Sequence, residues 1–250
     1  MYRPRLIPVL LLKDNHLVKT VQFSNPKYIG DPINAVRLFN DLKADELVFL
    51  DIDATGSNRV VDLNLIREIG EEADMPFSVG GGIRNLEQIR DIIAAGAERA
   101  IIGSYAAECP EFITDASNAF GTSTISVCID VKKSFWGKRK VHVRNGKKNL
   151  NWDPIEFALL MQKNGAGELI IQSIDGDGKM NGYDLELVQS ITEIVSIPVV
   201  ALGGAGSIDD LRKAWYEAKA NGLAAGSLFV FHGTKKGVLI NYPEKSEWFY

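Results

Sequence analysis

The chain predicts a (β/α)₈ barrel, and three observations carry that expectation. Eight short apolar runs alternate with amphipathic stretches of helix length along 250 residues. The runs are nearly continuous in apolar residues, as strands covered on both faces are. Landmarks of the first half of the chain recur in the second at an almost constant spacing. A doubly wound open sheet is the rival architecture, but it would not require so regular a second copy.

Taken in order, residues 6–12 (LIPVLLL) form the first strand candidate, and Asp31-Pro32 opens a helix over 32–44. The second strand, 46–51, leads to a helix at 61–73. The third, 76–80, runs into Gly80-Gly81-Gly82, and Asn85 caps a helix at 86–96. A fourth strand at 99–103 precedes Pro110 and a helix at 110–119. The fifth, 124–130, is followed by Asp153-Pro154 and a helix at 153–164. Strands at 168–173, 198–202 and 222–226 alternate with helices at 184–194 and 207–219. Residues 236–250 carry Pro243 and poor helical periodicity, so the eighth helix is missing from the pattern.

The repeat is specific. DELVFLDIDATG from position 45 matches GELIIQSIDGDG from position 167, a shift of 122 residues. The same shift sets Gly81-Gly82 against Gly203-Gly204, and a shift of 123 sets Gly103-Ser104 against Gly226-Ser227. A single domain over 1–250 built from half-barrels of about 1–121 and 122–235 is the expectation, with matched elements on opposite sides of one barrel mouth.

Composition bounds the function classes. With 46% hydrophobic and 24% charged residues and a mean hydropathy of −0.03, the chain reads as a soluble globular protein. No apolar run approaches membrane-spanning length, and Met1-Tyr-Arg-Pro-Arg leads into a strand rather than a secretory signal, so a cytoplasmic location is expected. Two cysteines, Cys109 and Cys128, make neither a disulfide framework nor a zinc site and read as free thiols. A net charge of −4 argues against broad nucleic-acid binding. His16, His142 and His232 are dispersed without metal-ligand spacing, so neither metal nor cofactor is expected.

Several constellations point to chemistry. Glycine clusters end four strands: Gly80-Gly81-Gly82, Gly103-Ser104, Gly203-Gly204-Ala205-Gly206 and Gly226-Ser227. Glycine lets backbone N–H groups approach an anion, and the loops after strands 7 and 8 are the usual phosphate cradle of such barrels. Two symmetric cradles suggest a ligand with two phosphates; tight turns alone are the other reading. Carboxylates at strand ends, Asp51, Asp53, Asp130, Asp175 and Asp177, are the acid/base candidates. Asp130 ends the run ISVCID and should reach the mouth. Aligning LIPVLLLK from position 6 with ISVCIDVK from position 125 sets Leu11 opposite it, where an acid/base pair would need a second carboxylate.

At the strand starts, Arg5, Glu46, Arg99 and Glu168 alternate in sign and suggest either a salt-bridged ring closing the barrel floor or a solvated rim. Residues 14–30 form a long connection in which Lys19 could reach a phosphate from a closing lid, or remain a surface lysine. Residues 131–149 are basic with interleaved aromatics; a β-hairpin turning near Asn145-Gly146 is favoured over a nucleic-acid patch.

With these residues in view, LVFLDIDA, SVGGGIRNLEQ, GAGELIIQSIDGDGKMNGYD and the Gly-Gly-Ala-Gly segment resemble the cyclase subunit of imidazole glycerol phosphate synthase from about residue 3 to 232. The resemblance implies a (β/α)₈ barrel paired with a glutaminase subunit. Ammonia made there would pass through the barrel core to a bisphosphorylated nucleotide at the mouth. It implies an ammonia gate at Arg5, Glu46, Arg99 and Glu168, with arginine at 99 in place of the usual lysine. It implies phosphate contacts at Gly82, Gly103, Ser104, Gly178, Gly203, Gly204, Gly226 and Ser227, with Lys19 nearby. Of the family's two catalytic aspartates, one maps to Asp130 and the other to Leu11. Gly103-Ser104 replaces Asn-Thr, and Leu202 replaces a serine. Residues VLINYP stand where the C-terminal helix would be.

These departures, with PVLLLKDNHLVKT, resemble a paralogous branch found in bacterial surface-polysaccharide gene sets, whose members work with a glutaminase and a sugar amidotransferase in making acetamidino sugars. The resemblance thus implies an ammonia conduit, with a genuine cyclase of histidine biosynthesis and a non-catalytic activator of the glutaminase as alternatives.

Overall fold

The computed structural model describes residues 3–233 and 237–244. Eight parallel strands close on themselves: β1 (Arg5–Lys13), β4 (Leu47–Asp51), β5 (Phe77–Gly80), β6 (Arg99–Ile102), β7 (Ile125–Lys133), β10 (Glu168–Ser173), β11 (Val199–Leu202) and β12 (Gly222–Ala225). Closure comes from β12 pairing with β1 and from β7 pairing with β10 over six residue pairs. The (β/α)₈ barrel expected from the sequence is the observed fold, with strand boundaries within a few residues of those read from the apolar runs.

Seven helices of barrel type follow the expected signals. Asp31 caps α1 (Pro32–Asp41), Asp62 caps α2 (Leu63–Glu72), and Asn85 caps α3 (Leu86–Ala94) through their side-chain oxygens. Two short helices were not foreseen: α4 (Ser104–Glu108), directly after β6, and α9 (Ser227–Val230), directly after β12. Between them in the chain lie α5 (Glu111–Phe120), α6 (Pro154–Lys163), α7 (Leu185–Thr192) and α8 (Ile208–Tyr216), the last started by a capping box of Ser207 and Asp210.

Alternation along the strands makes two separate cores. Leu6, Leu10 and Leu12 of β1 face outward into the layer between strands and helices, with Phe39, Phe49, Phe157 and Phe229. Ile7, Val9 and Leu11 face inward and meet Val48, Ile101, Ile170, Val200 and Leu202 inside the barrel.

One expectation needs correction, and two are met with added detail. Residues 14–30 are not a loose lid. They form a hairpin of β2 (His16–Val21), paired antiparallel with β1, and β3 (Ser24–Gly30). The insertion after the fifth strand is three-stranded: β7 pairs with β8 (Arg139–Val143), and β8 with β9 (Lys148–Asn149). Asn145-Gly146 sits in the second of its two turns. The C-terminus departs from a barrel helix by returning over the strands. β14 (Gly237–Val238) pairs with β13 (Phe231–His232), and the Tyr242 hydroxyl accepts from the Asp45 amide and donates to the Leu6 carbonyl. Residues 234–236 and 245–250 of that segment lie outside the described residues. Among the described residues, no helix is long and apolar enough to cross a membrane.

At the strand starts the four expected charges do meet. Glu46 is the hub: Arg5 reaches it, Arg99 Nη1 lies 3.1 Å from its Oε1, and the Ser78 hydroxyl donates to the same oxygen at 2.9 Å. Arg5 continues to Glu168, whose other oxygen accepts from Ser126. Among the described residues no direct ion pair joins Arg99 to Glu168, so the ring is an open chain ordered Glu168–Arg5–Glu46–Arg99. Both carboxylates are buried, with side chains 3% (Glu46) and 7% (Glu168) exposed, while the arginines keep an edge in solvent. Burial pushes the Glu168 carboxyl above its ordinary range even though Arg5 opposes the shift.

Removing the hub should therefore cost more than removing an end. Glu46→Ala takes one carboxylate from both guanidinium groups, leaving Arg5 on Glu168 and Arg99 on the exposed Glu98, and should destabilise the barrel by about 3 kcal/mol, the low end for a broken buried pair. Arg99→Ala leaves Glu46 held by Arg5 and Ser78, so its cost should stay near 1–2 kcal/mol, about that of one hydrogen bond to a charged group. Urea unfolding of both variants checks the order; equal, negligible losses would identify a solvated rim.

Candidate functional site

The C-terminal ends of the eight strands open into one mouth lined by Leu11, Lys19, Leu50, Cys128, Asp130, Gln172, Leu202 and the glycines of four loops. Position along each strand decides what arrives there. In barrel order β1 and β7 are four strands apart in both directions, so Leu11 and Asp130 face each other across the mouth. Leu11 belongs to the inner apolar cluster and is 9% exposed.

The five strand-end carboxylates are not equivalent. Asp51 is consumed by structure: Oδ1 accepts from the amides of Asp53 and Ala54, and Arg59 clamps both oxygens. Asp53 lies 3.1 Å from the Lys13 ammonium near the surface. Asp175 accepts from the Lys133 amide at 2.7 Å, and Asp177 from the Thr20 hydroxyl at 2.9 Å and the Phe23 amide. For these four, loop anchoring or surface pairing is what the structure shows. Among the described residues, Asp130 alone of the five has neither an amide nor a cation, and its one side-chain partner is Cys128 Sγ, 3.6 Å from Oδ1, two residues back on the same inward face. Burial in the concave mouth pushes the Asp130 carboxyl up to about 7, and the negative charge of Asp177 adds to this while the Cys128 thiol opposes it. Burial and the neighbouring carboxylate push the thiol up as well.

Lys19 is no surface lysine. It projects inward from β2, is 6% exposed, and its ammonium abuts Gly226: a Cβ on that glycine would stand 1.7 Å from Nζ. Among the described residues it forms no ion pair or hydrogen bond. Burial lowers its proton affinity, and the Asp177 carboxylate partly restores it. A desolvated ammonium beside a backbone with exposed N–H groups is suited to an anion.

The glycines divide by cause. Gly204, at φ +112, would drive a Cβ to 2.1 Å from the Gly182 carbonyl, and Gly82, at φ +71, to 1.8 Å from the Arg59 carbonyl. Chain packing thus accounts for glycine at both positions without a ligand. Gly226 differs, since what excludes a side chain there is Lys19. Gly226 and Gly103 immediately precede α9 and α4, and neither helix start has a side-chain cap. Gly178 and Gly203 lie in the same lining, between the Asp177 loop and β11.

The two symmetric cradles are unequal. On the strand 3–4 side the Ser104 hydroxyl accepts from the Arg144 amide, and Asn145 Nδ2 donates to the Ile52 carbonyl at 2.7 Å, so the β8–β9 turn lies across that side. On the strand 7–8 side Ser227 is buried, and β2 is the neighbour there: Lys19 stands against Gly226 and Thr20 against Gly178. Gln172, Cys128, Thr20 and Asn145 are mouth residues that the sequence reading left out. Alternation from Asp130 points to Cys128, and from Glu168 to Gln172. Nothing local marks Asn145, which arrives from an insertion. Among the described residues, no group of three or more His, Cys, Asp or Glu side chains could hold a metal ion.

Comparison with known proteins fits this geometry. Residues 5–235 match the family model described as histidine biosynthesis protein. A Vibrio vulnificus protein provisionally named imidazole glycerol phosphate synthase subunit hisF3 is 46% identical over 248 residues, covering 99% of this chain and 95% of the relative. A Pseudomonas aeruginosa protein provisionally named subunit hisF2 is 45% identical over 244 residues, covering 98% and 97%. The Alkaliphilus metalliredigens imidazole glycerol phosphate synthase subunit HisF is 40% identical over 232 residues, covering 93% and 92%. By the family model and by these identities along nearly the whole chain, the protein belongs to the histidine-biosynthesis barrel family and, within it, to the HisF-like imidazole glycerol phosphate synthase subunits.

Proposed function

We propose that this chain is the ammonia-receiving barrel of a glutamine amidotransferase pair, working in the cytoplasm and supplying ammonia for acetamidino-sugar formation in surface-polysaccharide synthesis. A HisH-like glutaminase subunit docks under the floor as the other half of a heterodimer. Ammonia enters past Arg5, Glu46, Arg99 and Glu168, crosses the core and leaves at the mouth. A phosphorylated small molecule sits on Gly203, Gly204, Gly226 and Ser227 beside Lys19, with Gly82, Gly103, Ser104 and Gly178 completing the lining. A sugar amidotransferase is the downstream partner. The reading requires no metal or cofactor.

The observation that carries it is Leu11 facing Asp130 above a floor that keeps its charges. Ring closure on a bound nucleotide needs proton transfer on both sides of the reacting atoms, and leucine has no proton to exchange. The transport parts do not depend on that position. Ile7, Val9, Val48, Ile101, Ile170 and Val200 form an apolar interior between floor and mouth. Neutral ammonia can enter such an interior, whereas ammonium would lose its hydration without a partner. The relatives at 44–46% identity carry provisional names, whereas those at 40% and 38% are named outright as the synthase subunit, which supports a separate branch.

One observation favours the second reading, a cyclase using one aspartate. Among the described residues Asp130 is bonded only to the Cys128 thiol, and its carboxyl is pushed up to about 7, as a general acid or base requires.

Three measurements separate these readings. With ammonium supplied directly, turnover of the bisphosphorylated nucleotide should be about 10²–10⁴-fold below that of HisF enzymes with both aspartates, and Leu11→Asp should raise it. Ordinary turnover by the unmodified chain would establish the cyclase.

If residual cyclisation uses Asp130, its pH profile should bend near 7. A base acts only when ionised, so rate falls below pH 7; an acid acts only when protonated, so rate falls above it. The bend should vanish in Asp130→Asn. A profile flat from pH 6 to 8 in the unmodified chain removes Asp130 from the chemistry.

Inorganic phosphate should bind against Lys19 and the amides of Gly204, Gly226 and Ser227, with a weaker site near Gly82 and Ser104. Lys19→Met should weaken binding about 10-fold or more, as loss of a charge-assisted bond does. Calorimetry and a phosphate-soaked crystal check this, and no anion at either place would leave the phosphorylated ligand without support.

A further inference from the structure

The fifth barrel strand does not stop at the barrel. β7 makes its last barrel pair between Val131 and Ser173 and runs on to Lys133, paired only with Arg139 of β8. At about 3.3 Å per residue, Lys133 stands roughly 10 Å beyond Asp130. The turn that follows carries Phe135 and Trp136, 95% and 85% exposed, with their rings edge to face at 5.5 Å. Among the described residues neither belongs to a core cluster, and no step of the proposed chemistry uses them. A second hairpin at the same end, β2–β3, presents Tyr28 and Val21, 60% and 47% exposed.

Both hairpins are held by one loop. Asp177 binds Thr20 and Phe23 of the first, and Asp175 binds the Lys133 amide of the second. The exposed apolar groups are therefore presented on fixed supports, which lowers the entropy lost on docking.

The charge around the tip is one-sided. Residues 131–149 contain eight Lys and Arg and no Asp or Glu. Asp184 and Glu186 neutralise Lys133 and Arg139, and Glu108 neutralises Arg144. Lys132 and Lys138 flank the aromatic pair and have no carboxylate partner among the described residues. The matching surface is an apolar pocket with an acidic rim.

The geometry points to Phe135–Trp136, with Lys132 and Lys138, as the docking point on the mouth side for the enzyme that consumes the ammonia. This rests on the conduit reading above. A mouth without an acid/base pair has no means of using ammonia itself, and ammonia released into water is diluted and protonated. Delivery then needs a protein that covers the mouth and carries the acceptor. A lipid surface would cover the mouth and offer none.

The test uses the full chain in complex with a HisH-like glutaminase, together with a sugar amidotransferase of the kind proposed above. Phe135→Ser/Trp136→Ser should weaken binding of the amidotransferase about 10-fold or more, as loss of a buried aromatic anchor does. Product formed per glutamine consumed should fall, while glutamine hydrolysis stays at the unmodified rate. Lys132→Glu/Lys138→Glu should weaken the same binding, and added salt should weaken it in the unmodified chain.

Unchanged affinity and delivery in both double variants would overturn the docking point. So would binding of the unmodified chain, but not of the aromatic variant, to vesicles of phosphatidylglycerol and phosphatidylcholine, which would make the tip a membrane anchor. Conversion of a self-associated form to a simpler one by the aromatic substitution would assign the tip to a second copy of the chain and overturn it as well. If the unmodified complex delivers nothing to the amidotransferase and cyclises the nucleotide at full rate, the conduit reading itself fails, which is distinguishable because the unmodified chain is then at fault.

Discussion

Closure of the sheet by β7 against β10 is the constraint on which the rest of the molecule depends. With both edges of the sheet paired, every strand must send alternate side chains into a lumen that eight strands leave just wide enough to fill. Storeys follow. Arg5, Ile7, Val9 and Leu11 rise through the barrel from β1; Ser126, Cys128 and Asp130 do so from β7; Glu168, Ile170 and Gln172 do so from β10. The register that places charges at the floor is the register that places Leu11 and Asp130 at the top. An inward residue at the mouth can change without altering the pairing below it, and so a barrel can keep its conduit while its chemistry differs.

Electrostatics separates structure from function more sharply than residue type does. At the floor, both buried carboxylates are saturated by guanidinium and hydroxyl groups, which is the condition for keeping charge inside. Asp51, Asp175 and Asp177 are likewise committed, to Arg59 or to loop amides. Lys19 and Asp130 break that rule. Each is desolvated, each is shifted toward its neutral form, and neither pairs with the other. Groups held in that state have capacity left for a ligand, whereas the saturated ones do not.

Most of the barrel was legible because parallel strands covered on both faces write themselves as continuous apolar runs, and because helix caps such as Asp31, Asn85 and Asp153 are local signals. The equivalence of Leu11 with Asp130 was legible from alignment of the two halves, and strand order places the two across from each other. The four floor charges were readable as a group, but not the hub at Glu46, because Ser78 enters from a third strand. The hairpin at 14–30 reads as a loop in the sequence. Its β3 half, SNPKYIG, carries little apolar signal, and its exposed strand pairs only with β2. Arg144 meets Ser104, and Asn145 meets Ile52, through an insertion whose path no periodicity encodes.

The raised proton affinity of Glu168 bears on how such a floor would handle ammonia. Burial moves the carboxyl upward, yet ammonium holds its proton more tightly than a carboxylate does, so the floor is no effective base for stripping ammonium. What the arrangement does provide is an absence of open acceptors. Glu46 is bonded to Arg5, Arg99 and Ser78, and Glu168 to Arg5 and Ser126, so an ammonium ion arriving there would have to displace a guanidinium to be bound. In the proposed conduit neutral ammonia would need no such exchange and would next meet Ile7, Val48, Ile101 and Ile170, where a cation would lose its hydration without compensation. The saturated floor and the apolar core would thus favour the same species by two independent costs. Such selection would require neither Leu11 nor Asp130, so passage through the core and the fate of the ammonia at the mouth are separable properties of the barrel.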